Sequence, residues 1–343
     1  MSPRDGAAAR PAPVAGPALV LPGERARLQE HLSAVARGEA LLIQAADRAW
    51  PGGPPVAARL GSLLSVLSQA ALVLSYAAGV PVVRLLHSDA ADEEPAATLN
   101  LARALTRDGR PGVREAHAAN QRFVASSPRR DHYAPLIREI DAALRFIRAH
   151  GVRTDPAPMT DLFAGRTDAA GHLTWLDART TARDDSVVAR VARAGGPVGV
   201  TLGPDTTSDV LLALVDRLDP QRSAGRLTFL TRLGADAVHD VLPVLLGKVA
   251  ASGALVVWAC DPWHGNAVHA PDGGPRWDLD AVLAEARAFA EAHRASGTYA
   301  GGLHLEPGGG PAAGGAAGPP GGTGGPAACL ELALQLAEYY RSP

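Results

Sequence analysis

The chain has 343 residues, 47% of them hydrophobic, and a formal net charge of -2. That length can bury one large core or two small ones, and the near-neutral balance gives no electrostatic reason to expect nucleic acid. No uninterrupted apolar stretch of about 18 residues points to a membrane span.

Residues 1–22 are rich in Ala and Pro and lack the charged region, apolar block and cleavage site of a signal peptide. They are read as a flexible N-terminal arm, and a cytoplasmic location is expected by default. From there, apolar runs of strand length alternate with longer stretches of helical period. The spacing predicts strands at 40–44, 81–86, 173–176, 198–202, 227–231, 254–258 and 302–305. Between them it predicts helices at 56–78, 95–106, 133–150, 184–194, 208–218, 235–252 and 278–295. Thr206, Thr207 and Ser208 offer side-chain oxygens to cap the helix that follows them, as do Asp278 and Asp280 later. Residues 307–327 are almost all Gly, Pro and Ala, which neither bury a core nor sustain a helix, so this segment is expected to be a loop. Helical spacing returns in 328–343. The order is α/β, and a TIM-type (β/α)8 barrel over 23–306, completed by the C-terminal helix, is favoured over a doubly wound sheet. The strand count approaches eight, and polar residues cluster after the strands.

Two such clusters concentrate the chemistry. Cys260-Asp261-Pro262-Trp263-His264-Gly265-Asn266 follows the apolar run 254–258, and Gly301-Gly302-Leu303-His304-Leu305-Glu306 ends the last strand. In a parallel barrel the carboxyl ends of the strands share one cavity, so His264 and Glu306 are expected to be neighbours able to hold a divalent metal or share a proton. Asp261 reads as a local turn cap and Cys260 as a small buried residue. The cysteines are Cys260 and Cys329 alone, too few for a disulfide framework. Lys248 is the only lysine and falls in a helical segment, which argues against a Schiff-base aldolase. Positive charge comes from arginine, whose planar fork suits phosphates and carboxylates.

These motifs resemble class II, or plant-type, DAHP synthases, which condense phosphoenolpyruvate with erythrose 4-phosphate at the first step of the shikimate pathway to aromatic amino acids. The resemblance runs through Gly199-Val200-Thr201-Leu202-Gly203-Pro204, Gly225-Arg226-Leu227-Thr228, Arg232-Leu233-Gly234-Ala235-Asp236 and the two clusters above. Earlier, the run from Ala36 to Gln44 and that from Tyr76 to Val83 look like the family's first two barrel strands and their approaches. The chain is thus identified as a divergent, shortened member. The resemblance implies a divalent metal, manganese, cobalt or magnesium, held by a cysteine, a histidine, a glutamate and an aspartate. His264 and Glu306 match two of these ligands. The family's Gln-Gly-Gly-Asp-Cys run reads Gln44-Ala45-Ala46-Asp47-Arg48, and the aspartate's register falls near Gly321, with no acidic residue between Glu306 and Glu331. Arg48 is therefore expected to pair with Glu306 in place of the cation, with a catalytic role beside His264.

For substrate binding, the resemblance implies that Arg179 and Arg232 match phosphate-binding arginines and that His87 stands where the family has another arginine. The family's strand lysine is Thr201 here, and the glutamate before the retained arginine is Ala178. Its Lys-Pro-Arg-Ser segment has no counterpart in 88–95, and its central region is shortened around 156–171. The nominal reading is a DAHP synthase-like transferase acting on small phosphorylated or carboxylate substrates, with neither nucleic acid nor membrane as partner. A homo-oligomer is a further expectation. The alternatives are a repurposed barrel enzyme acting on another small anion without the usual metal, and a non-catalytic partner of an active synthase.

Overall fold

The structure, a computed structural model, describes residues 20–21, 23–46, 55–88, 100–102, 104, 112–151, 162–166, 171–181, 185–269, 275–307 and 325–341. The chain begins with α1 (Glu24–Ala36), β1 (Leu41–Ala46), α2 (Val56–Ala78) and β2 (Val82–Ser88). Helices α3 (Val113–Ser126) and α4 (Arg130–Ala149) precede β3 (Leu162–Arg166) and β4 (Leu173–Asp177). Then come α5 (Ala178–Thr181), α6 (Asp185–Ala194), β5 (Val198–Leu202), α7 (Ser208–Leu218) and β6 (Leu227–Thr231). The remainder is α8 (Val238–Ala251), β7 (Val257–Cys260), α9 (Pro262–Gly265), a hairpin of β8 (Ala267–His269) and β9 (Pro275–Trp277), α10 (Leu279–Ala295), β10 (Gly302–Leu305) and α11 (Pro326–Arg341).

Strands β1 to β7 and β10 are parallel and close into a barrel in the order β1-β2-β3-β4-β5-β6-β7-β10, with β10 returning to β1. The fold is the TIM-type α/β barrel that the alternation of periods predicts. Two corrections to the sequence reading concern strands. The run at 254–258 forms a strand only from Val257 and extends to Cys260, because Leu255 is 40% exposed and pairing with β6 begins at Thr228 opposite Val257. Strand β3 was not predicted, since Leu162–Arg166 is short and ends in Gly-Arg. Helices α1 and α3 were also missed; both are rich in charged and polar residues, with few apolar positions to mark a face. Of the helix predicted at 95–106, residues 100–102 and 104 are described and are helical. The rest of that segment lies outside the described residues, as do 1–19 of the N-terminal arm and 308–324 of the Gly/Pro-rich loop.

Alternation along the strands builds two cores. Residues facing outward, such as Leu41, Ile43, Val200 and Phe229, pack under the helices, while Leu42, Leu85, Phe163, Trp175, Leu230 and Ala259 fill the barrel interior. Helix α1 closes the floor, placing Leu28, Leu32 and Val35 in that inner core. Its close docking depends on Gly225, at φ 74°, where a Cβ would lie 2.4 Å from Gln29 O and Ser33 N. Among the described residues, the amino-terminal end of the barrel is thus closed by α1. One helix segment among the described residues, Ala57–Ala78, is long and apolar enough to span a membrane, but most of it is buried, and α11 packs along it. It is a shell helix of the barrel.

Candidate active site

Four neighbouring strands carry the polar cluster. Register pairs Thr231 with Cys260, Cys260 with Leu303, and His304 with Gln44. One residue beyond the first two pairs, Arg232, Asp261 and His304 reach the level of Gln44, and register partners in parallel strands project to the same side. Four polar residues from β1, β10 and the ends of β6 and β7 therefore enter the barrel mouth together. Glu306 lies two residues after His304 and shares its face.

Asp261 is the hinge of this group and is fully buried. Its Oδ1 accepts from the His264 backbone N–H at 3.2 Å, capping a turn that Pro262 opens without an N–H of its own. Its Oδ2 accepts from Arg232 Nε at 2.7 Å and lies 2.7 Å from His264 Nδ1. Burial alone would raise this carboxyl, but the His304 and His264 rings and the Arg232 guanidinium outweigh it and hold it well below the usual carboxylate range. An ionised carboxylate only accepts, so His264 carries its proton on Nδ1 and turns Nε2 toward Glu306 Oε1, 3.7 Å away. His304 Nε2 is 3.1 Å from the same oxygen, and its Nδ1 is 2.9 Å from Gln44 Nε2. Glu306 and His304 are both fully buried.

An outer layer fixes the loops that bear Arg232 and His264. Glu285, on α10, accepts from Leu233 N at 2.9 Å and from Asn266 Nδ2 at 2.7 Å. Asn266 Oδ1 in turn accepts from Ala235 N at 3.0 Å. Burial pushes the Glu285 carboxyl up to about 7. Gly265 is required beneath it, since a Cβ there would lie 2.5 Å from Glu285 Oε2. Cys260 is buried, and burial raises its thiol well above the ordinary value, so it is no nucleophile.

The opposite half of the mouth is built differently. His87, on β2, faces inward, its ring centroid 6.1 Å from those of both His304 and Trp175. The Trp175 indole fills the barrel against Gly165 and Gly199, where an added Cβ would lie 2.5 Å and 2.3 Å from it. Thr201 Oγ1 donates to Asp177 Oδ2 at 3.2 Å. Arg179 lies in α5, its side chain outside the described residues, and Arg48 lies outside them altogether. The expected pairing of Arg48 with Glu306 therefore falls beyond the described structure.

Of the residues singled out in the sequence, the structure brings His264, Glu306 and Arg232 into one cluster and sets His87 at its edge. Sequence reasoning missed His304 and Gln44 as members, missed Glu285, and gave Asp261 only its capping role. The donor set suits a divalent cation: ligand atoms of Asp261, His264 and His304 all lie within 4.8 Å of one another, and Glu306 adds a buried carboxylate oxygen.

Comparisons with known proteins place the chain in a family. The model of the class-II DAHP synthetase family matches residues 12–88, 89–166 and 161–316. A phospho-2-dehydro-3-deoxyheptonate aldolase of Streptomyces coelicolor is 36% identical over 358 residues, covering 84% of this chain and 79% of the relative. The phospho-2-dehydro-3-deoxyheptonate aldolase AroG of Mycolicibacterium smegmatis is 31% identical over 358 residues, covering 84% of this chain and 77% of its own. Among solved structures, a truncated form of 3-deoxy-D-arabino-heptulosonate 7-phosphate synthase from Thermotoga maritima matches with a TM-score of 0.37 and 13% identity, over 78% of this chain and 75% of that one. With a family match running almost from end to end and strand-end motifs converging on one mouth, the chain belongs to the class II DAHP synthase family.

Proposed function

We propose that this chain is a DAHP synthase-like enzyme of the cytoplasm that joins phosphoenolpyruvate to erythrose 4-phosphate at the barrel mouth. The observation that carries the reading is the continuous chain of contacts from Arg232 through Asp261 and His264 to Glu306. Arg232 is oriented by the bond from its Nε to Asp261, which leaves its terminal nitrogens for a phosphate or carboxylate. Arg179 serves a second anionic group by resemblance. His264, its proton held on Nδ1 by Asp261, presents its Nε2 lone pair toward Glu306, and the two side chains together offer a seat for a cation. A divalent metal held by His264 and Glu306 would supply polarisation of the aldehyde carbonyl. The enol carbon of phosphoenolpyruvate forms the new bond to that carbonyl carbon, and water then completes the loss of phosphate.

Neither the family match nor the relatives' names favours a repurposed barrel or a silent partner. The test is phosphate release from phosphoenolpyruvate by the purified protein, with and without erythrose 4-phosphate and with and without manganese. Release that needs the aldose phosphate, and that falls about 10²- to 10⁴-fold in His264→Ala, is expected. No release under any of these conditions would overturn the reading.

A further inference from the structure

The resemblance gives His264 and Glu306 to the metal and assigns nothing to His304. Yet the two imidazoles stand in similar relation to one carboxylate oxygen, with Nε2 of His304 at 3.1 Å and Nε2 of His264 at 3.7 Å from Glu306 Oε1. Donors bound to one ion at about 2.0–2.2 Å lie roughly 3–3.6 Å apart, so each ring nitrogen already stands near that spacing from Glu306 Oε1. Asp261 is committed elsewhere. Its Oδ2 bonds Arg232 Nε and lies at the outer nitrogen of His264, the position of a carboxylate that orients a metal-binding imidazole from behind.

Gln44 stands to His304 as Asp261 stands to His264. Its Nε2 is 2.9 Å from His304 Nδ1, and its Oε1, on a residue only 2% exposed, is buried with no hydrogen-bond partner among the described residues. An amide presents a donor and an acceptor on one carbon, so a half-turn lets Gln44 serve either tautomer of the ring. It donates to Nδ1 when Nε2–H points at Glu306, and it accepts from Nδ1–H when Nε2 keeps a lone pair for a cation. The change moves one proton from Nε2 to Nδ1 with no net gain or loss.

We propose that His304 is a third protein ligand of the divalent cation, binding through Nε2 beside His264 Nε2 and Glu306 Oε1, with Gln44 as its orienting partner. This rests on the reading that the mouth holds a metal. The experiment loads chelator-stripped full-length protein with cobalt and records hyperfine-shifted, exchangeable proton resonances. Both rings bound through Nε2 give two shifted Nδ1–H signals in the wild type, a count that requires no variant. His304→Gln should remove one signal and weaken cobalt binding by more than ~100-fold, and Gln44→Leu should weaken it by about 10-fold, with circular dichroism confirming that each variant folds. A single shifted signal in the wild type, unchanged cobalt affinity in His304→Gln, or no stoichiometric cobalt binding would each overturn the assignment. Condensation is assayed separately: two signals without turnover sink the proposed function and leave His304 as a ligand, whereas turnover with one signal does the reverse.

Discussion

The two halves of the barrel mouth solve different problems. On the side of β6, β7, β10 and β1, every buried charge has a charged or polar neighbour: Arg232 meets Asp261, Asp261 meets His264, and Glu306 faces His264 and His304. On the side of β4 and β5 the indole of Trp175 fills space between glycines, and Thr201 answers Asp177. A half built from coupled charges is sensitive to removal of any member, because the survivors are left buried without compensation. A half built from packing is sensitive to added volume instead. The mouth thus joins a half held by coupled charges to a half filled by shape.

The sharpest break is Asp261→Ala. It strips Arg232 and His264 of their shared partner and is expected to cost ~3 kcal/mol of stability, read by urea unfolding, together with a ~10³-fold fall in turnover. A loss under about 0.5 kcal/mol would mean the network is solvated and the contrast between the halves is false.

Next in size is a pH effect seated in the same half. Glu285 has its folded pKa raised from 4.5 to about 7, chiefly by burial. Between pH 4.5 and 7 the folded state therefore binds more protons than the unfolded chain. Its contribution is full below pH 4.5 and is lost as pH rises through 7, a decline of about 3 kcal/mol. Glu285→Gln, neutral throughout, should flatten that part of the stability profile measured by denaturant midpoints. A profile identical to wild type would remove Glu285 as the titrating group.

On the packing half, Gly199→Ala puts a methyl group 2.3 Å from Trp175 Cε3. A loss of ~1–3 kcal/mol is expected, with cobalt affinity unchanged, and adding Trp175→Leu should recover part of it. Cobalt binding that falls together with stability would show that the halves are coupled rather than separate.

How much of this was legible follows from the same division. Helices α2 and α7 matched their predicted bounds because apolar period alone marks a shell helix. Helices α1 and α3, by contrast, carry polar residues on their buried faces, Glu24 in the first and His117 and Asn120 in the second, which blurs the apolar period. His264 and Arg232 stood out through motif and charge. His304 sat in a quoted motif yet was passed over, although an imidazole two residues before a carboxylate on one strand already shares its face. Gln44, a lone amide in the run Leu-Leu-Ile-Gln-Ala-Ala, carried the same hint of an inward polar residue. What the chain could not disclose was register. Only the pairing of β7 with β10, and of β10 with β1, brings Asp261, His304 and Gln44 to one level and turns a local cap into the centre of a network.

The smallest effect expected is a gain. Thr201 lies on β5 in register with Asp177, and its hydroxyl donates to that carboxylate's Oδ2 at 3.2 Å. Thr201→Lys lengthens the side chain toward the mouth, where Asp177 can receive the ammonium, and offers a charge-assisted contact to the phosphate or carboxylate of phosphoenolpyruvate. One such contact corresponds to ~10-fold tighter binding. It should appear as a lower KM for phosphoenolpyruvate with kcat little changed, since a contact made equally in the ground and transition states alters binding alone. If KM stays put while the variant folds normally, the anion does not reach the β5 side, and recognition belongs wholly to the half that carries Arg232.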